Sequence, residues 1–523
     1  MQPNETMFDK LTSKVDSWVK KWLKNYTPRH ISENKVIKDP VWGMMSLSPL
    51  EISILDSPLL QRLRRIHQTG LVNLTYPSAL HTRFDHSLGM LHCATLIMES
   101  INRKEKTQGR VHVFSELDEQ EVRLACLLHD IGHSTLSHLT EGLYSYYTFI
   151  SDVKDELENS VQPYMKIKPK NHELLSGVIV KTPSFLSMFE EAVKSNNPNP
   201  IRIPSDTLGR ISDMIMGRPV DGNPERAYIS DIVNGPYDAD RLDYTFRDSF
   251  FTGLALGTDA EKFISGLSIG DVPLEKGKRK SIVLNINSVS SYDHLVLSKV
   301  SLYSTVYNHQ KVLATNQVVK NILNILRKNP SSFTLQGIKL KEVIDFLDLT
   351  DWDFLIGQTN SSVIKQLQEI IAKRDIPIRY VRITPLSIEN NTNMLPSIPP
   401  AILKYSELDE QEKLREQICH DLGFDDSGPN TIYLGFPKNP DLRELVDAYC
   451  QNYDGAMENY NTISPMNYFS LYSQYRWAVY VFGPYKKLDE KIYNKISSII
   501  NEKLNIQLTT NSRPKTLVKR GII

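Results

Sequence analysis

The chain has 523 residues, of which 40% are hydrophobic and 23% charged, an ordinary globular composition with more length than one hydrophobic core usually serves. Its 61 basic residues equal its 61 acidic ones, so no overall positive field exists to attract nucleic acid or an anionic membrane. No signal-peptide pattern or membrane-length apolar run is found, which predicts a soluble, cytoplasmic protein. The four cysteines lack CxxC spacing and are expected to be reduced.

The predicted elements divide the chain into three regions. Residues 1–34 form a polar leader with one short amphipathic helix, expected to make a packing or oligomer contact. Residues 35–330 repeat apolar residues every three to four positions, which predicts a mainly α core with an exposed excursion at 151–170, a strand at 280–286 and a long helix at 294–326. Residues 331–523 mix short helices with strand-like runs and predict a smaller α+β C-terminal lobe.

Histidines concentrate in one part of the core. The stretch LLHDIGHSTLSH, residues 127–138, reads as a buried helix and would carry His129, Asp130 and His133 together. An imidazole and a carboxylate side by side, with a second imidazole one turn later, is efficient ligand geometry. A lone histidine on an apolar helix is more often a satisfied core residue, but several buried polar groups are costly unless a metal or mutual hydrogen bonds satisfy them. The cluster therefore favours a metal centre.

Two further segments offer ligands. HTRFDH places His86 at a helix start, and DADRLDYTFRDS places Asp240, Asp243 and Asp248 at near-helical spacing. The order RxxH, HD and a distant Asp resembles that of the HD phosphohydrolase superfamily. Within it, DADRLDYTFRDSFFTGL, LDSPLLQRLRRIHQTG and YPSALHTRFDHSLG are similar to stretches of the deoxynucleoside triphosphate triphosphohydrolases, in the same order. The resemblance covers roughly residues 35–385.

This resemblance implies a mainly α fold with a helical HD-domain core, and hydrolysis of dNTPs to deoxynucleoside and triphosphate. The implied metal ligands are His86, His129, Asp130 and Asp240, two nitrogen donors and two carboxylates compatible with Mn, Fe or Mg. The implied catalytic residues are His138, which would protonate the leaving oxygen, Glu141 and His172, which would hold it, and His133. Family members usually have Asp where Glu141 stands.

Substrate contacts follow from the same resemblance. Arg83 and His133 would contact the α-phosphate, and Arg241 and Lys299 the outer phosphates. Tyr244 would exclude a 2′-hydroxyl, Gln68 and Asp248 would bind the 3′-hydroxyl, and Tyr307 and Asn308 would line the base pocket.

Animal members of the family are activated by guanine nucleotide at a subunit interface. The matching positions here are Lys35, Val36, Asp56, Gln61 and Arg64, which predicts an activator nucleotide, GTP or a dNTP, and a homo-oligomer, a tetramer or dimer of dimers. Taken without the resemblance, QRLRR is more typical of a solvated basic helix face. Asn285, Asn287 and Gln310 replace the basic residues of a neighbouring activator site, which leaves that site either absent or built for another ligand.

Three other functions stay open. They are an HD hydrolase acting on another nucleotide, a nuclease, and a non-catalytic nucleotide sensor. The zero net charge disfavours nucleic acid binding. The resemblance also permits a role in dNTP depletion as antiviral defence.

Overall fold

The computed structural model is mainly α-helical, and its helices surround one large apolar core. It describes residues 6–107, 109, 113–142, 144, 148–160, 169–196, 206–255, 257–274, 277–389, 400–405, 407–436, 448–464, 477–484 and 488–514. The helices up to residue 266 are α1 Met7–Leu23, α2 Pro49–Leu55, α3 Pro58–Gln61, α4 Arg83–Thr107, α5 Glu116–Leu128, α6 His138–Glu141, α7 Thr148–Ser160, α8 Asn171–Val180, α9 Pro183–Asn196, α10 Thr207–Ile215, α11 Ala227–Asp231, α12 Ala239–Thr252 and α13 Ala260–Gly266. The later helices are α14 Val289–Leu302, α15 Gln310–Lys328, α16 Asp351–Ile356, α17 Ser362–Ala372, α18 Pro400–Lys404, α19 Leu408–Leu422, α20 Tyr460–Ile463 and α21 Glu490–Leu504.

Three small sheets accompany the helices. The strands are β1 Lys35–Asp39, β2 Gly43–Leu47, β3 Leu267–Pro273, β4 Lys278–Asn285, β5 Ile378–Ile383, β6 Tyr433–Gly435, β7 Tyr449–Gln451, β8 Met457–Asn459 and β9 Val479–Gly483. Strands β1 and β2 form a hairpin, β3-β4-β7-β8 form the second sheet, and β5-β9-β6 form the third. The strands predicted from residues 280–286, 376–383, 431–436 and 477–483 are confirmed as β4, β5, β6 and β9.

Helix α4 lies at the centre of the core and packs against both α5 and α12. Helix α5 begins at Glu116, because Ser115 and Asp118 cap each other's backbone amides. These three helices carry the predicted metal ligands at neighbouring ends, so the packing of the core positions the site.

The leader helix α1 packs on the core through α7, α8 and α9. Its predicted apolar stripe is buried at Val15, Trp18 and Val19. Trp18 Nε1 and Trp22 Nε1 both donate to Asp348 Oδ1, at 3.0 and 3.1 Å. The amphipathic pattern therefore serves intramolecular packing in this chain.

The predictions for residues 151–170 and 294–326 were wrong in part. Residues 148–160 form helix α7, which packs against α1 instead of extending into solvent, whereas 161–168 lie outside the described residues. The long helix is broken: α14 ends in a π-helical turn at Tyr303–Tyr307, and His309 caps the start of α15. The break matters for the site because π-turns re-aim side chains.

The C-terminal region is joined to the helical core through a shared sheet. Strand β7 pairs in parallel with β4, and the large core cluster extends past residue 330 through Leu335 to Ile376. A second, smaller cluster lies between the β5-β9-β6 sheet and helices α19 and α21. The division at residue 330 stays a prediction, and the mainly α core with a smaller α+β lobe is confirmed.

Candidate active site

Four predicted ligands converge from three helices. His86 lies in the first turn of α4, His129 and Asp130 follow the last turn of α5, and Asp240 lies in the first turn of α12. His86 Nε2 is 2.9 Å from Asp240 Oδ1, and His129 Nε2 is 3.2 Å from Asp130 Oδ1. One donor atom from each of His86, His129 and Asp130 lies within 4.8 Å of the others. The sequence-predicted quartet is therefore one cluster in space.

The donor set fits a divalent cation. Among the described residues, His86 Nε2, His129 Nε2 and Asp130 Oδ1 are buried and make no hydrogen bond of good geometry, and their nearest polar neighbours are other members of the cluster. The other ring nitrogens are held: His86 Nδ1 lies 2.6 Å from Asp243 Oδ2, and His129 Nδ1 lies 2.7 Å from the Cys126 carbonyl. Such second contacts fix the ring so that the remaining nitrogen points at a metal. Orphaned donors that share a centre are what a cation site requires.

The charges of the cluster agree with this assignment. Burial would raise the pKa of Asp130, but Arg83 and His129 outweigh burial and hold it well below its ordinary value. Burial lowers the pKa of His129, so this imidazole is neutral and can donate a lone pair. Burial also acts to lower the pKa of His86, but Asp240 and Asp243 raise it to about 10. A cation among these carboxylates would take over the charge compensation that the proton on His86 provides.

The sequence suggested that residues 127–138 form one helix, but the structure breaks this segment. Helix α5 ends at Leu128, His129 is its C-cap, and residues 130–132 form a turn. A Cβ added to Gly132 would lie 2.5 Å from the backbone of both His172 and Ser176, so helix α8 approaches too closely for any other residue. The turn brings the histidines after it back towards the site.

His138, Glu141 and His172 form a hydrogen-bonded triad beside the ligands. Glu141 Oε2 lies 2.6 Å from His138 Nδ1, and Glu141 Oε1 lies 2.6 Å from His172 Nδ1. Burial opposes the charge on Glu141, but His172 and His138 keep its pKa well below the ordinary value. Burial lowers the pKa of His138. Even so, 57% of its side-chain surface is accessible, because the side chain faces the cavity. Glu141, one methylene longer than the Asp expected at this position, thus bonds both histidines.

His133 is placed differently from a phosphate-binding residue. It is fully buried and stacks on His172 with ring centroids 3.9 Å apart; its Nε2 lies 3.3 Å from Asp130 Oδ1, and among the described residues neither ring nitrogen makes a hydrogen bond of good geometry. Burial and Arg83 hold its pKa well below the ordinary value. His133 also belongs to a second group that could hold a metal, with His138, Glu141 and His172. Its role in catalysis stays a prediction.

The predicted substrate residues share one cavity of about 1620 Å³. The residues of this set that line it are Gln68, Arg83, Arg241, Tyr244, Asp248, Lys299, Tyr307 and Asn308, together with His129, Asp130, Asp240, His138, Glu141 and His172. His86 and His133 lie behind the wall with no exposed surface. The predicted substrate residues therefore line a single chamber, which also contains three of the four predicted metal ligands in its wall.

Arg83 already has protein acceptors around it. Its Nη1 donates to Asp130 Oδ2 at 2.9 Å, its Nε to Ser137 Oγ at 3.1 Å and its Nη2 to the Gln68 carbonyl at 3.4 Å. The first two contacts orient a metal ligand and the turn before His138. Contact between Arg83 and an α-phosphate stays a prediction.

The corner of the cavity that contains the predicted sugar contacts is built around Asp248. Its Oδ1 lies 2.7 Å from His81 Nε2, and its Oδ2 accepts a hydrogen bond from the Tyr307 hydroxyl. Tyr307 reaches this corner because of the π-turn between α14 and α15. His81, which the sequence analysis did not assign, thus fixes one candidate for the 3′-hydroxyl contact.

Several cavity residues were missed by sequence reasoning. Lys154 on α7, Lys170 and Asn171 at the start of α8, and Lys320 on α15 all line the chamber. The lysine-rich run KIKPKNHE before His172 was a usable signal, but its polar texture was interpreted as an exposed excursion. The three lysines add positive charge to a chamber that is predicted to hold phosphates.

The predicted activator residues lie outside this chamber. Lys35 and Val36 lie on β1, Asp56 caps α2, and all three are exposed. Gln61 Oε1 accepts a hydrogen bond from Arg64 Nε at 2.8 Å, and the Arg64 guanidinium stacks 3.5 Å from the Phe84 ring. An exposed surface suits an interface site, and its use stays a prediction. Gln310, one of the departures from the animal pattern, instead accepts a hydrogen bond from Arg379 at 3.1 Å.

The four cysteines are free and buried, in agreement with reduced structural thiols. Among the described residues no helix combines the length and apolarity needed to cross a membrane.

The HD dipeptide at His420-Asp421 is exposed on α19 and is remote in sequence from the ligand cluster.

Comparison with known proteins identifies the segment that carries His86, His129 and Asp130. Residues 83–174 match the HD domain family. This segment is an HD domain. The chain is homologous to the deoxynucleoside triphosphate triphosphohydrolase SAMHD1 of Homo sapiens, 26% identical over 440 residues that cover 76% of this chain and 64% of the human protein. SAMHD1 of Mus musculus is 28% identical over 311 residues, covering 56% of this chain and 43% of the mouse protein. An uncharacterized protein of Methanocaldococcus jannaschii is 27% identical over 475 residues, covering 90% of this chain and 83% of its own length.

The chain thus spans less than two thirds of the length of these animal relatives. The matched HD domain contains the hydrogen-bonded triad and all predicted metal ligands except Asp240, which follows on α12. At the level of the family, the HD domain and this homology support a metal-dependent phosphohydrolase.

Proposed function

We propose that this chain hydrolyses deoxynucleoside triphosphates to deoxynucleoside and inorganic triphosphate. The observation that carries the proposal is the single chamber in which the ligand cluster, the His138 triad and all eight predicted substrate residues meet. The homology to SAMHD1 supports the choice of dNTP as the substrate class.

The residues divide the work of the reaction between them. Arg241 and Lys299 line the chamber and would hold the outer phosphates, with Lys154 and Lys170 adding positive charge. His138, hydrogen-bonded to Glu141, would give its proton to the 5′ oxygen as the bond to the α-phosphorus breaks. A divalent cation held by His86, His129, Asp130 and Asp240 would supply Lewis-acid chemistry, neutralising phosphate charge and making a water more acidic.

Selection for deoxyribose would depend on the corner around Asp248. Tyr244 and Tyr307 line the chamber there, and the Tyr307 hydroxyl is bonded to Asp248. A ring placed against the sugar leaves no room for a 2′-hydroxyl, while Gln68 and Asp248 offer polar contacts to the 3′-hydroxyl. The chamber would therefore accept deoxynucleotides in preference to ribonucleotides.

Nucleotide activation within a homo-oligomer, and depletion of the dNTP pool as an antiviral defence, are part of the same proposal. The exposed positions Lys35, Val36, Asp56 and Arg64, with the half-buried Gln61, support an activator site at an interface. Sedimentation with and without GTP and dNTPs tests it: assembly that depends on nucleotide is expected, and an unchanging monomer would remove this part of the proposal.

The reaction itself is tested by incubating the purified chain with each dNTP, Mn²⁺ or Mg²⁺, and a panel of candidate activators. Ion-exchange chromatography should resolve deoxynucleoside and intact triphosphate in equal amounts, and Asp130→Ala is the inactive control. Release of orthophosphate or diphosphate would instead indicate another HD hydrolase reaction. Degradation of single-stranded DNA or RNA without dNTP turnover would indicate a nuclease.

A further inference from the structure

The turn that leads into the catalytic triad has an unusual backbone. Leu136 and Ser137 both have positive φ, at 58° and 53°, and ψ of Ser137 is −131°. Side-chain-bearing residues rarely adopt these angles, and each such residue costs of order 1–3 kcal/mol unless its surroundings hold it. His138 follows directly as the first residue of α6. The position of the proposed acid therefore depends on whatever holds this turn.

One carboxylate from outside the HD domain holds it. Asp351, the first residue of α16, is 1% exposed and receives the Leu136 backbone N–H at 2.6 Å on Oδ1. The hydroxyl of Thr135 donates to the Thr350 carbonyl beside it at 3.1 Å. The segment 350–351 thus anchors the turn at consecutive residues before His138.

The same carboxylate also holds a second segment of the chain, at His67, directly before the chamber-lining Gln68. Asp351 Oδ2 receives the backbone N–H of His67 at 2.8 Å and lies 2.7 Å from His67 Nδ1. The His67 carbonyl in turn accepts the Ser137 hydroxyl at 2.7 Å. Gln68, the candidate for the 3′-hydroxyl, comes next in the chain. One buried side chain therefore ties together the backbone of two segments that would both contact the leaving deoxynucleoside, one at its 5′ oxygen and the other at its 3′-hydroxyl.

We propose that Asp351 is a positioning residue, which sets His138 and Gln68 at their working distance by clamping the strained Leu136–Ser137 turn to the His67 backbone. This inference rests on the proposed function, because it takes His138 as the acid that protonates the leaving oxygen. Asp351 does not line the chamber and touches neither the metal ligands nor the substrate. Its effect is on the alignment of groups that do.

The chain offers a matched control three residues away. Asp348 accepts hydrogen bonds from Trp18 Nε1 and Trp22 Nε1 and pairs with Lys21 Nζ at 2.8 Å, so it docks the leader helix, and among the described residues it makes no hydrogen bond or ion pair with the turn. Asp348→Asn and Asp351→Asn each remove one charge from the same segment. Both are expected to lower the melting temperature, whereas only the second changes the turn.

The test compares the two variants on two substrates. In Asp351→Asn an amide NH₂ must face one of two backbone N–H groups, so the clamp between the turn and His67 loses one of its two acceptors. With a dNTP, kcat is expected to fall roughly 10- to 100-fold with KM within about threefold. With bis(p-nitrophenyl) phosphate, whose leaving group departs without a proton, the variant should lie within about threefold of the parent. Asp348→Asn should match the parent on both substrates below its melting temperature.

Crystal structures of both variants supply a readout that needs no activity. A reoriented 136–137 peptide and loss of the 2.6 Å His138–Glu141 contact are expected in Asp351→Asn alone. Equal losses on both substrates, an unchanged kcat, or an unmoved turn would overturn the inference. If the parent protein hydrolyses no dNTP, the proposed function fails, and the variant structures alone decide whether Asp351 positions His138.

Discussion

Replacing Glu141 by glutamine tests the charge at the centre of the triad. The glutamate bonds both imidazoles at 2.6 Å, and each contact joins a charged acceptor to a ring nitrogen. A glutamine of equal length keeps one acceptor but turns an NH₂ group towards the other ring, so one charge-assisted bond is lost. Such a bond contributes about 1.5 to 3 kcal/mol, which corresponds to a decrease in kcat of roughly 10- to 150-fold.

The assay is release of triphosphate under saturating dNTP, with metal content measured on the same samples. The metal held by His86, His129 and Asp130 should stay bound, because Glu141 is outside that cluster, and an ion lost on the substitution would instead belong to the second group, which contains Glu141. The control is Glu173→Gln, since that carboxylate lies 3.9 Å from His172 Nε2, beyond hydrogen-bond distance, and kcat should stay within about threefold. A Glu141→Gln enzyme with full kcat would show that the triad does not work as a unit.

Three other changes probe the ligand cluster, the turn and the pH dependence of stability. Asp130→Ala should remove both the bound metal, measured by mass spectrometry, and all turnover, and a metal-loaded active variant would exclude Asp130 as a ligand. Gly132→Ala places a Cβ 2.5 Å from the Ser176 amide, so the melting temperature should fall by several degrees, and an unchanged value would contradict the close approach of α8. Burial raises the pKa of Asp213 from 3.8 to about 6, so the folded state favours the protonated form and loses stability as pH rises through this window. Asp213→Asn should therefore stabilise the protein by roughly 1 to 3 kcal/mol at pH 7.5, discounted for partial exposure, and by nothing at pH 4, as thermal melts at the two pH values would show.

Short, local patterns were the part of the site that the sequence could predict. His86, Asp130 and Asp240 lie close together because each lies at or next to a helix end, and helix packing brings those ends together, whereas their role as metal ligands stays a prediction. The α and β elements with clear periodicity were predicted for the same reason. Residues whose position depends on one helix therefore need little tertiary information.

The failures share a different cause. Nothing in the periodicity of residues 127–138 shows that α5 ends at Leu128, because the reason is the approach of a distant helix to Gly132. Similarly, the break before α15 is decided by packing around Tyr307 and not by a proline or glycine in the segment. Helical propensity continues through both places, and tertiary contacts override it.

The contact between the region after residue 330 and the HD domain could not be predicted for the same reason, because it depends on tertiary packing. Asp351 lies outside residues 83–174, yet it holds the turn that carries His138. The predicted ion-binding cluster is built from the ends of α4, α5 and α12, so metal binding should be separable from this support, whereas the position of His138 should depend on it. Helix termini inside the core thus build the cluster, and a buried carboxylate from a later helix holds the turn that precedes the proposed acid, His138.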